Sequence, residues 1–231
     1  MATSTLPASE PLVRSSIGMK LLMAVTGLIF VGFVAVHAYG NLMVLAGADQ
    51  FNAYAHHLRT FGQPMLPYGG LLWILRVGLL VSLALHVWSA ITLWGRANGA
   101  RTTPYAVKKA AASSLASRTM RYGGLLLLLF IVFHLLHLTT HTIHPQGKVP
   151  TPYENVIGSF QLWWVAIVYV AAMLVLGFHL FHGVWSAAQT LGLTSTAAAR
   201  VRAKAVGHLV AGVIVLAFLI PPLCILFRIV K

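Results

Sequence analysis

Long apolar runs alternate with short polar segments along this chain. The clearest run, within residues 121–145, starts with a basic and aromatic edge and continues from Leu125 to Phe133 without a polar side chain. A helix that crosses a bilayer needs about 20 mostly apolar residues, at about 1.5 Å of rise each. By this criterion the pattern predicts five transmembrane helices and an all-α, polytopic membrane protein. The predicted spans are residues 17–46, 70–95, 121–144, 160–191 and 205–230.

The composition agrees with this class of protein. Of the 231 residues, 58% are hydrophobic and only 8% are charged, which excludes an ordinary soluble domain. The segments between the spans are too short for a further domain, so residues 1–231 are expected to form a single membrane domain. The net charge of +13 lies in segments that flank the apolar runs. That distribution indicates membrane flanks rather than a nucleic-acid surface.

Lysine and arginine are divided unevenly between the two predicted sides. The positive-inside rule therefore predicts that the N-terminus and the two basic loops face the cytoplasm. The expected cytoplasmic side has Arg14, Lys20, Arg96, Arg101, Lys108, Lys109, Arg118, Arg121, Arg200, Arg202 and Lys204, and the outer side has Arg59, Lys148, Arg228 and Lys231. Arg76 stands apart inside the second span, where a guanidinium needs an anionic partner.

Four consecutive spans each contain a deep histidine: His37, His86, His134 and His179. Counted from the predicted outer boundaries along the helices, His37 and His134 lie at about 17 Å, and His86 and His179 at about 28 Å. The depths pair His37 with His134 in the outer half and His86 with His179 in the inner half.

Imidazole is the usual protein ligand of haem iron, and a histidine inside a membrane is costly unless it has a function. The paired depths therefore predict two bis-histidine haem sites stacked across the membrane. Because the chain has one cysteine, Cys224, and no CxxCH motif, the haems would be bound non-covalently. Hydrogen bonding between helices is the alternative explanation for the same four histidines.

Further histidines follow two of these residues. His137, His141 and His144 are expected on one face of the helix that carries His134, and His182 follows His179 by three residues. They are candidates for alternative ligands, propionate partners or proton carriers at a quinone pocket. The alternative is that they are polar residues near an interface.

For Arg76, a propionate of the outer haem is the expected partner, since it is anionic, planar and suited to a forked contact. The alternative is that the side chain snorkels to the outer headgroups.

The four histidines lie in the segments VHAYGNL, LHVWSAITLW, RYGGLLLLLFIVFH and GFHLFHGVWS. The last two are the most characteristic, with Arg121 thirteen residues before His134 and the pattern F-H-x-x-x-G-x-W-S around His179. Over nearly its whole length the chain resembles the single-chain, di-haem cytochrome b anchor subunit of succinate dehydrogenases and fumarate reductases (respiratory complex II).

The resemblance implies two b haems, an outer one between the first and third spans through His37 and His134 and an inner one between the second and fourth through His86 and His179. It implies a subunit of the bacterial cytoplasmic membrane, embedded in lipid and bound on the cytoplasmic face to a flavoprotein and an iron–sulfur subunit. A higher oligomer of the complex is compatible with the family.

Electrons from succinate, a tricarboxylic acid cycle intermediate, would pass through the haems to menaquinone or ubiquinone. The chain alone would not oxidise succinate, and the sequence identifies no quinone-binding residue.

The chain departs from the family pattern in one respect, and three alternatives stay open. Some family members carry protons through intramembrane glutamates, whereas no predicted span here contains an acid. The first rival is a di-haem b anchor of another respiratory oxidoreductase, of the formate dehydrogenase or hydrogenase type. The second is a haem-free, histidine-rich protein such as a metal transporter, although transporters usually place acids or broken helices at the midplane. An anchor of the complex II type without haem also stays open.

Overall fold

The computed structural model describes residues 15–100 and 115–231, and among these the side chains of residues 115–119 are left out of the description. All secondary structure in these ranges is helical, which confirms the all-α prediction. Five helices are long and apolar enough to cross a membrane, so the chain is a multi-pass membrane protein. Of the basic residues assigned to the cytoplasmic side, Arg14, Arg101, Lys108 and Lys109 lie outside the described residues.

Several helices begin where the sequence supplies a capping side chain. Ser15 caps the first helix by accepting a hydrogen bond from the backbone N–H of Gly18. The helices are α1 (Ser16–Leu42), α2 (Ala48–Thr60), α3 (Gly70–Gly99), α4 (Leu115–His134), α5 (Pro152–Phe160), α6 (Trp163–Thr190) and α7 (Ala197–Leu226). A 3-10 turn, Met43–Ala46, extends α1, and a π-helical turn, Leu135–Thr139, extends α4.

The third span differs from the prediction. It ends at Thr139 instead of continuing to residue 144. His141 adopts a left-handed backbone conformation with φ of 58°, which a right-handed helix cannot contain. Pro145 also disfavours helical geometry at the residue before it. His141 and His144 therefore lie in the loop after the helix, and the prediction that they share a helical face with His134 is wrong.

The last two spans also begin at other residues than predicted. Residues 152–160 form the separate helix α5, which starts with Pro152 and a capping box between Thr151 and Glu154. The fourth span consequently begins at Trp163. The fifth begins at Ala197, because Thr196 caps α7 ahead of its basic first turns.

Helix α6 lies at the centre of the bundle, where it packs against α7, α4 and α1, and α1 packs in turn against α3 and α7. Glycines allow α6 and α7 to approach closely. A Cβ on Gly177 would lie 3.0 Å from Cγ2 of Val215, and one on Gly207 would lie 3.0 Å from the carbonyl oxygen of Phe181. Such small residues are what membrane helices use to pack, since apolar burial alone gives no preference for protein over lipid.

The loop after the first span contains the short helix α2. The ring of Tyr54 covers Gly40, where an added Cβ would lie 3.0 Å from the tyrosine hydroxyl. Burial, reinforced by the neighbouring Tyr39, raises the pKa of Tyr54. Asn52 joins α2 to α5 by accepting a hydrogen bond from the backbone N–H of Tyr153. The loop after α1 is thus fastened to the end of the bundle that carries α5.

Candidate functional site

The four deep histidines form two adjacent pairs. The ring centres of His37 on α1 and His134 on α4 are 5.8 Å apart, and those of His86 on α3 and His179 on α6 are 6.3 Å apart. These are the pairs that the predicted depths group together. All four side chains are only partly buried, so the protein alone does not enclose them.

The His86–His179 pair has a defined hydrogen-bond support on one side. Nδ1 of His86 lies 3.1 Å from the hydroxyl oxygen of Thr26, and that hydroxyl donates to the carbonyl of Leu22 at 2.7 Å. Because the hydroxyl hydrogen is used in this way, His86 must donate from Nδ1, which leaves a free lone pair on Nε2. An outer hydrogen bond of this kind orients imidazoles that bind metals. Nδ1 of His179, in contrast, is buried without a partner.

Two glycines bring helix backbones close to this pair. A Cβ on Gly27 would lie 3.4 Å from Cε1 of His86, and one on Gly124 would lie 3.7 Å from Cε1 of His179. The ring of Phe30 also meets His86 edge-on at 6.2 Å. At these two glycine positions the backbones of α1 and α4 approach the pair without an intervening side chain.

The surroundings of the His37–His134 pair are mainly aromatic. Phe33 stacks on His37 at 5.3 Å with an interplanar angle of 11°, and Phe218 of α7 lies 5.7 Å from the same ring. Phe130 lies 5.9 Å from His134. The site is therefore apolar except for its two imidazoles and the polar groups beyond His134.

Each pair joins two helices that stay apart. In the described part of the chain, α1 with α4 and α3 with α6 are not among the helix pairs that pack closely against each other. The imidazoles extend from both sides into the space between the helices. A flat cofactor held by two facing imidazoles requires this arrangement, because it must lie between the helices that supply its ligands.

The separation of the rings also fits a haem. Each metal–nitrogen bond is about 2 Å long and the ring centre lies about 1 Å beyond the nitrogen, so two imidazoles on opposite sides of one metal ion would have centres about 6 Å apart. The values of 5.8 and 6.3 Å agree with this estimate. A haem iron takes two axial protein ligands, whereas a bare transition-metal ion needs more. Among the described residues, no group of three or more His, Cys, Asp or Glu side chains could hold a metal ion.

A tyrosine on α6 connects the His37–His134 pair to another histidine. The hydroxyl oxygen of Tyr169 lies 3.3 Å from Nδ1 of His134 and 2.9 Å from Nδ1 of His137. His137 belongs to the π-helical turn, is 1% exposed, and stacks between Phe133 and His144. π-Helical turns occur often at functional sites.

The loop histidines form a buried polar cluster beyond Tyr169. Nδ1 of His144 accepts a hydrogen bond from the backbone N–H of Gln146, so its Nε2 carries the hydrogen and donates to Ser159 at 2.8 Å. Ser159 in turn donates to the carbonyl of Asn155. Nε2 of His141 and Oδ1 of Asn155 are buried without a partner. These residues close the end of the bundle around His137.

Arg76, His182 and His208 belong to neither histidine pair. Arg76 is exposed, and its guanidinium carbon lies 5.0 Å from the ring centre of Trp73. His182 is partly buried one turn after His179, and His208 is exposed and stacks on Phe181 at 4.0 Å.

The sequence did not single out the polar neighbours of the histidines. Thr26, Tyr169, Asn155 and Ser159 are unremarkable in an apolar chain, and only the rotation of each helix shows which of them faces a histidine. For Thr26 a signal existed, since it lies eleven residues before His37 and hence at about the depth of the inner pair.

No family model matches this chain, and neither a search of curated proteins nor one of solved structures found a match.

Proposed function

We propose that this chain is the membrane-anchor cytochrome b subunit of a succinate:quinone oxidoreductase, with His37 and His134 as axial ligands of one haem b and His86 and His179 as those of a second. The observation that carries the proposal is the occurrence of two facing imidazole pairs between helices that stay apart. Haem b, when bound, supplies reversible one-electron reduction and oxidation at each pair.

The residues of the chain hold the two pairs at different depths. On α1, Thr26 contacts His86, and His37 contacts His134. His37 follows Thr26 by eleven positions, which corresponds to about 16 Å along the helix. On α6, Tyr169 and His179 are separated by ten positions, or about 15 Å. Helices α1 and α6 thus give nearly the same separation between the two imidazole pairs. Haems bound at these pairs would transfer electrons one after the other across the membrane.

The sequence motifs favour the complex II type over the rival anchors. In this assignment a flavoprotein and an iron–sulfur subunit bind the basic side of the bundle, which faces the bacterial cytoplasm, and electrons leave to menaquinone or ubiquinone. The chain itself contributes no succinate chemistry. A metal transporter is disfavoured because each facing pair offers two imidazoles, which do not complete the coordination of a bare ion.

The decisive measurement is the haem content of the purified chain, from a reduced-minus-oxidised spectrum with haem quantified per polypeptide. Two b haems per chain are expected. His86→Phe or His179→Phe should lower the value to about one, with the outer haem retained, whereas His208→Phe provides a control at a histidine outside both pairs. A wild-type content near zero would overturn the proposal.

Co-purification tests the type of complex. An iron–sulfur subunit and a flavoprotein should accompany the tagged chain, and Lys108→Glu with Lys109→Glu should weaken that association at low salt. Exposed charge contacts are screened at high ionic strength, so the effect should shrink as salt is added. Partners of the formate dehydrogenase or hydrogenase type would support the rival assignment instead.

A further inference from the structure

Tyr169 lies where α6 meets the end of α4, and its hydroxyl contacts the Nδ1 atoms of two different imidazoles. The oxygen is 3.3 Å from Nδ1 of His134 and 2.9 Å from Nδ1 of His137. The tyrosine is only 6% exposed, and its ring is held by Phe160 at 4.8 Å and Phe130 at 5.1 Å. The hydroxyl therefore has a fixed position between the two histidines.

A phenolic hydroxyl has one hydrogen, so it donates to one imidazole and accepts from the other. The shorter contact, to His137, is assigned to the donated bond, and Tyr169 then accepts the N–H of His134. In this order His134 carries its hydrogen on Nδ1 and keeps a free lone pair on Nε2. His137 carries its hydrogen on Nε2 and has no lone pair left for a metal.

The surroundings of the two rings agree with this order. His134 faces His37 at 5.8 Å. His137 instead packs against Phe133 at 5.4 Å and His144 at 5.2 Å, and its Nε2 is buried without a partner. The imidazole that faces His37 is thus the one with the lone pair available.

We propose that Tyr169 is a positioning residue, which holds His134 in the tautomer that can bind iron and holds His137 in the tautomer that cannot. This inference rests on the proposed function. It also implies a tuning effect, because a ligating imidazole that donates its second N–H becomes a stronger electron donor. Tyr169 would therefore stabilise the ferric state at the His37–His134 pair.

Tyr169→Phe tests this role while keeping the packed ring. The haem of the His37–His134 pair should show a higher midpoint potential and an altered low-spin EPR signal, and the haem of the other pair should be unchanged. Tyr153→Phe is the matched control, since that hydroxyl donates to the carbonyl of Lys231, away from both pairs. Unchanged midpoint and EPR signals in Tyr169→Phe, with both haems present, would overturn the inference.

Substitution of the two histidines tests the choice of ligand. His137→Leu should retain two haems per chain, because His134 can still donate to Tyr169. His134→Leu should lose one haem even though His137 is intact. The opposite result, with loss in His137→Leu and retention in His134→Leu, would show that Tyr169 directs the lone pair to the other ring.

A measurement without cofactor separates this inference from the proposed function. In ¹⁵N-histidine-labelled full chain purified without haem, the signal lost in His137→Leu identifies that residue. It should show the Nε2–H tautomer in the wild type and change in Tyr169→Phe. This result in a chain that binds no haem would sink the proposed function but leave the positioning role intact, whereas an Nδ1–H tautomer in the wild type would overturn the inference.

Discussion

The hydroxyl oxygen of Thr26 on α1 lies 3.1 Å from Nδ1 of His86 on α3, and its own hydrogen is directed to the carbonyl of Leu22. Thr26 is 3% exposed, so this bond is shielded from competing water. The contact joins two neighbouring helices and at the same time fixes which nitrogen of the imidazole is free.

Thr26→Val should therefore weaken haem binding at the His86–His179 pair, while the shape of the side chain at position 26 stays nearly the same. The partly buried ring of His86 would lose the hydroxyl that accepts its N–H, and substitution of such outer partners typically lowers metal affinity by about 10- to 100-fold. Haem titration of the purified chain should show this loss at one site of the two. Thr26→Ser retains the hydroxyl and should behave like the wild type; an equal loss in both variants would point to packing as the cause.

Gly27→Val should displace His86. A Cβ at Gly27 already comes within 3.4 Å of Cε1 of that ring, so the further methyl groups need space that the imidazole occupies. The expected result is a lower haem content, with the His37–His134 signal preserved in the spectrum. Gly32→Val is the matched control on the same helix, because nothing lies within 4 Å of its Cβ position. Similar losses in both variants would indicate a general effect on α1.

Gly158→Ala should destabilise the end of the bundle beside the loop histidines. The side-chain amide of Gln146 lies directly against Gly158, in the space that a Cβ would need. Displacement of this residue would also disturb its backbone hydrogen bond to His144. Overpacking of this kind costs about 1–3 kcal/mol, which should appear as a lower thermal unfolding midpoint in detergent.

The control for Gly158→Ala is Gly183→Ala, within α6, where nothing lies within 4 Å of the Cβ position. Replacement of a helical glycine by alanine in open space should stabilise the folded protein by about 0.5–1 kcal/mol. If both substitutions changed the unfolding midpoint in the same direction, contact with Gln146 would not be the reason.

Arg76→Leu should leave the midpoint potentials of both haems unchanged. The guanidinium is exposed and lies over Trp73, a combination suited to the membrane interface, where it would contact lipid headgroups. Redox titration of wild type and variant provides the comparison. A lowered midpoint for the outer haem alone would instead support the propionate contact expected from the sequence.

The helical class, the five spans and the grouping of four histidines follow from arithmetic on the sequence. Rise per residue fixes depth, so His37 could be matched with His134 before any side-chain position was known. The rotation of each helix about its own axis, which decides which side chains face a neighbouring helix, cannot be calculated in this way. It depends on packing against neighbours, and nothing in the local sequence marks Tyr169 as the residue of α6 that faces α4.

The early end of the third span could not be predicted for a related reason. The chain leaves the helix through a left-handed backbone conformation at His141, a position that sequence patterns assign to glycine or asparagine. The periodicity of His134, His137, His141 and His144 suggested one continuous helix. The hydrogen bond from His144 to Ser159 of α5, together with the local bond from the backbone N–H of Gln146 to His144, stabilises the turn that breaks it.

The attachment of α3 and α4 has a consequence for the two imidazole pairs. In the described part of the chain, α1, α6 and α7 all pack against one another, whereas α3 packs closely only against α1 and α2, and α4, apart from its own π-helical extension, only against α6. Each pair therefore joins one of these outer helices to one of the central three: His86 on α3 faces His179 on α6, and His134 on α4 faces His37 on α1. A ligand that bridged each pair would tie both outer helices to the central three a second time.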